Sequence, residues 1–127
     1  MKYGISKTTV LTYQQAIEKV TDELKKEGFG VLTSIDISET LKKKLNVDFP
    51  KYMILGACNP PFAHKSLSIE EEIGLLLPCN VIVYEKEGTT HVSAFDTSVI
   101  KVVVNNPALE SVAIEVRQKL ERVIAAV

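Results

Sequence analysis

Hydrophobic and polar residues alternate along residues 29–37, and this pattern predicts a β-strand with one face against a core. Upstream, apolar residues recur at helical spacing and stop at Gly28; the stripe consists of Ile17, Val20 and Leu24. Thr12 and Gln15 have the spacing of a capping box at the start of that helix. The beginning of the chain therefore predicts the order strand, helix, strand.

The middle of the chain combines short helical segments with a fully apolar run. Ser38 is predicted to cap a short helix that ends at Asn46. Residues 52–55 are all apolar and too few for a helix, so they predict a central strand buried on both faces. The step Asn59-Pro60 then predicts a cap followed by one or two helical turns in the segment to Leu67, because proline fits the first position of a helix.

The second half of the chain is predicted to be rich in strands. Ser68 and Glu71 have the spacing of a second capping box. Three further strands are predicted, at residues 81–84, 91–95 and 99–104. The last helix is predicted to begin at Pro107, and its apolar stripe consists of Leu109, Val112, Val116, Leu120, Val123 and Val127.

Together these elements predict a single layered α+β domain over residues 1–127. About five strands form a mostly antiparallel sheet, and two long helices cover one of its faces. No linker-like change in composition divides the chain, and 127 residues are enough for one hydrophobic core.

The charge balance argues against nucleic acid as a partner. Fifteen basic and sixteen acidic side chains give a net charge of -1, so the chain lacks the broad positive field that binds phosphate backbones. The first residues are not followed by the apolar run of a secretory signal, and no run approaches the ~20 residues that span a bilayer. We therefore expect a soluble, cytoplasmic protein without a membrane partner.

Both cysteines lie at the boundary of an apolar run that is predicted to form a strand, and each is followed by an asparagine. If the two strands that they border are neighbours, one pocket between the loops is lined by Cys58, Asn59, Pro60, Pro78, Cys79 and Asn80. We predict a ligand-binding site there, with the two asparagine amides orienting a small polar ligand. The alternative is structural, with the thiols buried as small apolar side chains and the asparagines capping turns.

Other chemistry has less support in the sequence. The two thiols, together with His64 and His91, would form a zinc site only by coincidence of the fold, and they lack the Cys-x-x-Cys spacing of redox pairs. Asp96 follows a predicted strand and is expected to begin an Asx turn. Motifs for nucleotide, phosphate, serine-nucleophile and zinc-protease chemistry are absent. We predict no catalytic residue, metal or cofactor, and a thiol-dependent redox or metal-binding protein using Cys58 and Cys79 stays open as the alternative.

The segments YMILGACNP and IGLLLPCNVIVYE resemble those of the family known as domain of unknown function 302. The resemblance extends over nearly the whole chain, including the end of the first helix at GFG and the segment ISETLKKKL. It implies a β-α-β-rich-α domain arranged like the TATA-box-binding protein, without any implication of DNA binding. It also implies a small homodimer, and it implies no established activity.

Members of that family keep the steps that match Asn59-Pro60 and Leu77-Pro78. They often lack cysteine at the positions of the two thiols, which weakens the case for a catalytic thiol. This chain departs from the family at Thr97, where relatives commonly have proline after the aspartate.

The resulting expectation is a homodimeric, non-enzymatic domain that binds a small ligand or a protein. Two features are expected to serve the dimer contact. One is Ile114, an apolar residue on the otherwise charged face of the last helix, and the other is a strand edge near Val102.

Overall fold

The structure is a computed structural model, and it describes residues 2–127. Within this range five strands form one sheet: β1 (Gly4–Thr9), β2 (Gly30–Asp36), β3 (Tyr52–Cys58), β4 (Cys79–Lys86) and β5 (Thr89–Phe95). Their order across the sheet is β1-β5-β4-β3-β2, and all neighbouring strands are antiparallel.

Helices fill most of the remaining chain. The α-helices are α1 (Tyr13–Lys26), α2 (Ile37–Leu45), α3 (Pro60–Ile69), α4 (Ile100–Val103) and α5 (Glu110–Ala125). Short 3-10 helices occupy Glu71–Leu76, Thr97–Val99 and Pro107–Leu109. The long helices α1 and α5 contact each other and the sheet, α1 through β4 and α5 through β1. The α+β architecture predicted from the sequence is therefore confirmed.

The core lies between the sheet and these two helices. Val81 and Val83 of β4 are fully buried, whereas Ile82 between them is only partly buried, as the alternation of a strand requires. Leu24 of α1 and Leu120 of α5 pack into the same cluster. None of the helices in residues 2–127 is long and apolar enough to cross a membrane.

The start of α1 has the capping box that its sequence predicts. The Gln15 amide nitrogen donates to Thr12 Oγ1 at 3.1 Å, and the Thr12 amide nitrogen donates to Gln15 Oε1 at 3.0 Å. The helix ends before Gly28, whose φ of +86° lies in the region that glycine adopts without strain.

The strand predicted at residues 99–104 is wrong, because this segment forms the end of a 3-10 helix followed by α4. The preceding strand, β5, is already paired on both sides, by β1 and β4, so this segment has no place beside it in the sheet. Asp96 begins the expected Asx turn, because its Oδ1 accepts from the Ser98 amide nitrogen at 3.0 Å. Val102 therefore lies on a helix and not at a strand edge.

Two predicted caps are also wrong. Asp36, not Ser38, caps α2, because the amide nitrogen of Glu39 donates to Asp36 Oδ1 at 3.0 Å. Ser68 lies within α3 and starts no helix, since its hydroxyl donates to the His64 carbonyl oxygen at 2.8 Å. In both cases a polar side chain near the predicted boundary bonds locally and leaves the cap to another position.

Candidate functional site

A partly open cavity of about 350 Å³ lies where β3 ends and β4 begins. Its walls come from α3, the 3-10 helix Glu71–Leu76, and α5. Most of its lining is apolar, with Phe29, Ile73 and Val116 supplied by three separate parts of the chain. The end of β3 and the start of β4 therefore face the surrounding helices across an unfilled space.

Antiparallel pairing explains why both thiols reach this cavity. Ala57 pairs with Cys79, so the last residues of β3 and the first residue of β4 lie at the same end of these two strands. Cys58 follows Ala57 directly and pairs with Gly30 of β2. The juxtaposition of the two chain crossings, on which the sequence-based site depended, is present in the fold.

Four of the six residues predicted for the site line the cavity: Cys58, Asn59, Pro78 and Cys79. Pro60 is exposed at the first position of α3 and does not line it. Asn80 is also exposed, and it lines a smaller cavity of about 230 Å³ on the opposite face of the sheet. The expected pairing of two asparagine amides around one polar ligand is therefore not formed, because Cys79 and Asn80 are consecutive strand residues and face opposite sides.

Gly56 allows the ring of Pro78 to lie against the sheet. A Cβ atom at Gly56 would come within 2.9 Å of Pro78 Cγ, and it would also collide with Thr33 Oγ1. A glycine inside a strand often marks such a close approach. This was the sequence signal for the position of Pro78, and the sequence-based site did not include Gly56.

The thiols are free and differ in their surroundings. Burial raises the pKa of the Cys79 thiol to about 11, and the nearby Cys58 adds a smaller increase. At neutral pH Cys79 is therefore an uncharged thiol and a weak nucleophile, since the thiolate is the reactive form. This environment suits a wall of the cavity better than a reactive group.

One face of α3 forms a wall of the cavity. The lining residues from this segment are Asn59, Phe62, Ala63, Ser66 and Leu67, at the three- and four-residue spacing of a helix face. Asn59 is 7% exposed and Ser66 is 9% exposed. Asn59 occupies the N-cap position of α3, as the sequence predicts, but its side chain makes no capping hydrogen bond. Instead, its Nδ2 donates to the Glu27 carbonyl oxygen at 3.1 Å, at the end of α1.

Ser66 and Thr97 are lining residues that the sequence reasoning missed. Ser66 lies seven positions after Asn59 and so on the same helix face, but the sequence does not show that this face borders a cavity. Thr97 is 2% exposed, and its hydroxyl donates to the Ala113 carbonyl oxygen at 2.6 Å. Thr97 therefore ties the turn after β5 to α5.

Asp96, beside Thr97, is held by an ion pair. Burial alone would raise the pKa of its carboxyl, but hydrogen bonds from Ser98 and from Arg117 hold that pKa below its usual value. Arg117 Nε donates to Asp96 Oδ1 at 2.9 Å, and Arg117 also pairs with Glu121. This network supports the wall formed by α5 and does not line the cavity.

Residues 2–127 contain no group of three or more histidine, cysteine, aspartate or glutamate side chains placed to hold a metal ion. His64 is exposed, and the His91 ring stacks on Tyr84 with the ring centres 4.8 Å apart. The zinc arrangement of two thiols and two histidines is therefore not formed in this part of the chain.

The sheet, its helical layer and the cavity define the class: an α+β protein built on a five-stranded antiparallel sheet. The chain belongs to the family described as domain of unknown function DUF302, whose profile matches residues 5–127. It is similar to the crystal structure of an uncharacterized conserved DUF302 protein from Bacillus stearothermophilus. The two are 30% identical, the match covers 99% of this chain and 98% of that one, and the TM-score is 0.91. No curated protein matches the sequence.

Proposed function

We propose that this protein is a non-enzymatic binding domain that holds a small, mainly apolar ligand. The ligand lies in the cavity between α3, α5 and the place where β3 ends and β4 begins. The observation that carries this proposal is the cavity itself. Its volume of about 350 Å³ is within the range of ligand sites, roughly 300–1,000 Å³, and is about twice that of an engineered cavity that binds benzene. None of its described lining residues is an aspartate, glutamate, lysine, arginine or histidine.

Filling the cavity tests this proposal. Ala63→Leu adds a larger apolar side chain on the lining face of α3, and we expect it to weaken the binding of 2-naphthol by about tenfold or more. Ala125→Leu makes the same change at an exposed position of α5 and is the matched control. Fluorescence titration measures both. Absence of saturable binding to the unmodified protein, or equal affinity in the Ala63→Leu variant, would contradict the proposal.

We propose further that the protein acts as a homodimer. Three apolar side chains lie exposed on the contacting helices α4 and α5, namely Val102 (65% exposed), Val103 (63%) and Ile114 (56%). A net charge of -1 leaves little repulsion between two copies. This surface keeps the two residues expected from the sequence, although Val102 contributes from a helix.

Sedimentation velocity tests the dimer at micromolar concentration. We expect the unmodified protein to sediment at twice the 14.0 kDa mass of the chain, and Ile114→Lys to shift it toward the monomer. Thr40→Lys places the same charge at an exposed position of α2, a helix that packs against β2 and β3, and should leave the dimer intact. A monomeric unmodified protein would contradict the proposal.

The second candidate is a thiol-dependent redox protein, and one observation favours testing it: both thiols line the same cavity. The pKa of about 11 for Cys79 weighs against it, because raising a thiol pKa from 9.0 to about 11 lowers the thiolate fraction near neutral pH about a hundredfold. The cytoplasmic location expected from the sequence stays a prediction, and free thiols agree with a reducing compartment.

Alkylation rates separate the two candidates. In a Cys58→Ser variant the rate at which Cys79 reacts with iodoacetamide should be far below that of a free thiol at pH 7.5 and should still increase above pH 9. The denatured variant provides the control for an unprotected thiol. Fast alkylation of native Cys79, or isolation of the unmodified protein with its thiols oxidised to each other, would favour the redox candidate.

A further inference from the structure

Two polar side chains that line the cavity, Asn59 and Ser66, are at least nine-tenths buried, and each leaves one polar atom without a hydrogen bond. Elsewhere, Tyr13 Oη is the one fully enclosed side-chain polar atom in residues 2–127 that has no hydrogen-bond partner. Asn59 Oδ1 and Ser66 Oγ also have no partner within that range but are not fully enclosed, so they are open to the cavity that their residues line. Thr97, another buried polar lining residue, already donates to Ala113.

The orientation of the Asn59 amide follows from its one hydrogen bond. Nδ2 donates to the Glu27 carbonyl oxygen, and a carbonyl oxygen only accepts, so the nitrogen must face the end of α1. Gly28 confirms this direction, because a Cβ atom there would lie 3.2 Å from Nδ2. The atom left for a ligand is Oδ1, which accepts a hydrogen bond and cannot donate one.

The two free atoms are separated along one face of α3. Ser66 follows Asn59 by seven residues, which is about 10 Å along a helix axis at 1.5 Å per residue. Phe62 and Ala63 line the cavity between them. The wall therefore presents an acceptor, an apolar middle, and a hydroxyl that both donates and accepts.

We propose that the ligand is an uncharged molecule with an apolar body about the size of two fused rings and a polar group at each end. A hydroxyl or N–H at one end donates to Asn59 Oδ1, and a hydroxyl or carbonyl at the other end bonds Ser66 Oγ. A charged ligand is disfavoured because the lining offers no counter-charge, and a fully apolar one would leave both polar atoms dry and unpaired. This inference rests on the proposed function and specifies the chemistry of its ligand.

Calorimetry with the full chain and four probes of one shape tests it: naphthalene, 2-naphthol, 2,6-dihydroxynaphthalene and 2-naphthoate. We expect each hydroxyl to tighten binding about threefold to tenfold, the range for a net hydrogen bond, and the carboxylate to bind most weakly. Equal affinities for naphthalene and the diol would overturn the inference and leave the proposed function standing. Absence of binding by all four probes would overturn both.

A pair of serine variants assigns the second polar contact. Ser66→Ala removes a hydroxyl that bonds nothing else within residues 2–127, so we expect the variant to fold and to bind the diol no better than 2-naphthol, with naphthalene unchanged. Ser68→Ala removes an exposed hydroxyl two residues away, off the lining face, and should keep the preference for the diol. A Ser66→Ala variant that keeps this preference would overturn the role of Ser66.

Discussion

Gly56 and Pro78 show how a single residue sets the shape of the cavity. Pro78 lines the cavity, and its ring reaches across β3 at the position where any side chain on Gly56 would stand. Thr33, the other neighbour, can turn its hydroxyl away, whereas the atoms of a proline ring have little freedom to move. The wall near the thiols therefore depends on the absence of one methyl group.

We expect Gly56→Ala to lower the free energy of unfolding by about 1 to 3 kcal/mol, the usual cost of overpacking. The variant should also bind 2-naphthol more weakly, because Pro78 has to shift. Gly30→Ala, in the neighbouring strand, is the control, since a Cβ atom there meets nothing within 4 Å. Urea denaturation measures both. A Gly56→Ala variant as stable as Gly30→Ala would mean that Pro78 lies elsewhere.

Asp96 links stability to pH. Its carboxyl pKa in the folded protein is lower than the ordinary value of 3.8, so the ionised form stabilises the fold. This stabilisation is fully present above the pKa of the unfolded state and is lost as the pH falls through the lower, folded-state pKa. The partner Arg117 is partly exposed, which reduces the effect of the pair.

Asp96→Asn should lower the free energy of unfolding at pH 7 by about 1 to 2 kcal/mol, because it weakens a buried, charge-assisted contact. Below pH 4 its stability should also fall less steeply than that of the unmodified protein. Asp48→Asn, which removes one partner of an exposed ion pair with Lys42, should change stability by less than about 0.5 kcal/mol. Parallel pH dependence in the unmodified and Asp96→Asn proteins would contradict this account.

At the scale of elements, periodicity predicted what burial controls. The alternation over residues 29–37 and the apolar stripe of α1 identified β2 and α1, because each pattern records which face meets the core. The strand predicted at residues 99–104 does not form, since a β-branched composition contains no information about whether the neighbouring strand is free to pair. The fold class followed from the sequence, and this local connection did not.

The site was predictable to the same extent. Cys58 and Cys79 come together because their strands pair as antiparallel neighbours, which the sequence suggested. Asn80 was placed in the same pocket as Cys79 because the two are adjacent in the sequence. Consecutive residues of a strand face opposite sides of the sheet, so only Cys79 lines the cavity. Ser66 was missed because the cavity that it lines is formed by tertiary contacts, such as those of α3 with α5, that a local pattern does not show.

Two capping boxes of equal appearance in the sequence make a test at this scale. Thr12→Ala should cost about 1 kcal/mol of unfolding free energy, because Thr12 caps α1 in the fold. Ser68→Ala should be close to neutral, because Ser68 lies inside α3 and its exposed hydroxyl caps nothing. Thermal unfolding compares the two. Equal costs would show that both boxes form, contrary to the structure.

For the whole molecule, the cavity is a product of tertiary structure. Phe29, Cys58 and Val116 are far apart in the chain, and each belongs to a segment whose local pattern says nothing of the others. The space between them exists because α3 and α5 pack near the end of β3 and the start of β4 at positions that short-range patterns do not determine. Its volume and its free polar atoms could therefore be read only from the assembled fold.

The most direct test of the central claim is the diffraction of a crystal held under xenon pressure, because xenon enters dry apolar cavities. We expect strong density for xenon inside the cavity, bordered by Phe62, Ile73 and Val116. Diffraction that showed the cavity closed by its own lining side chains, with no xenon inside, would contradict it.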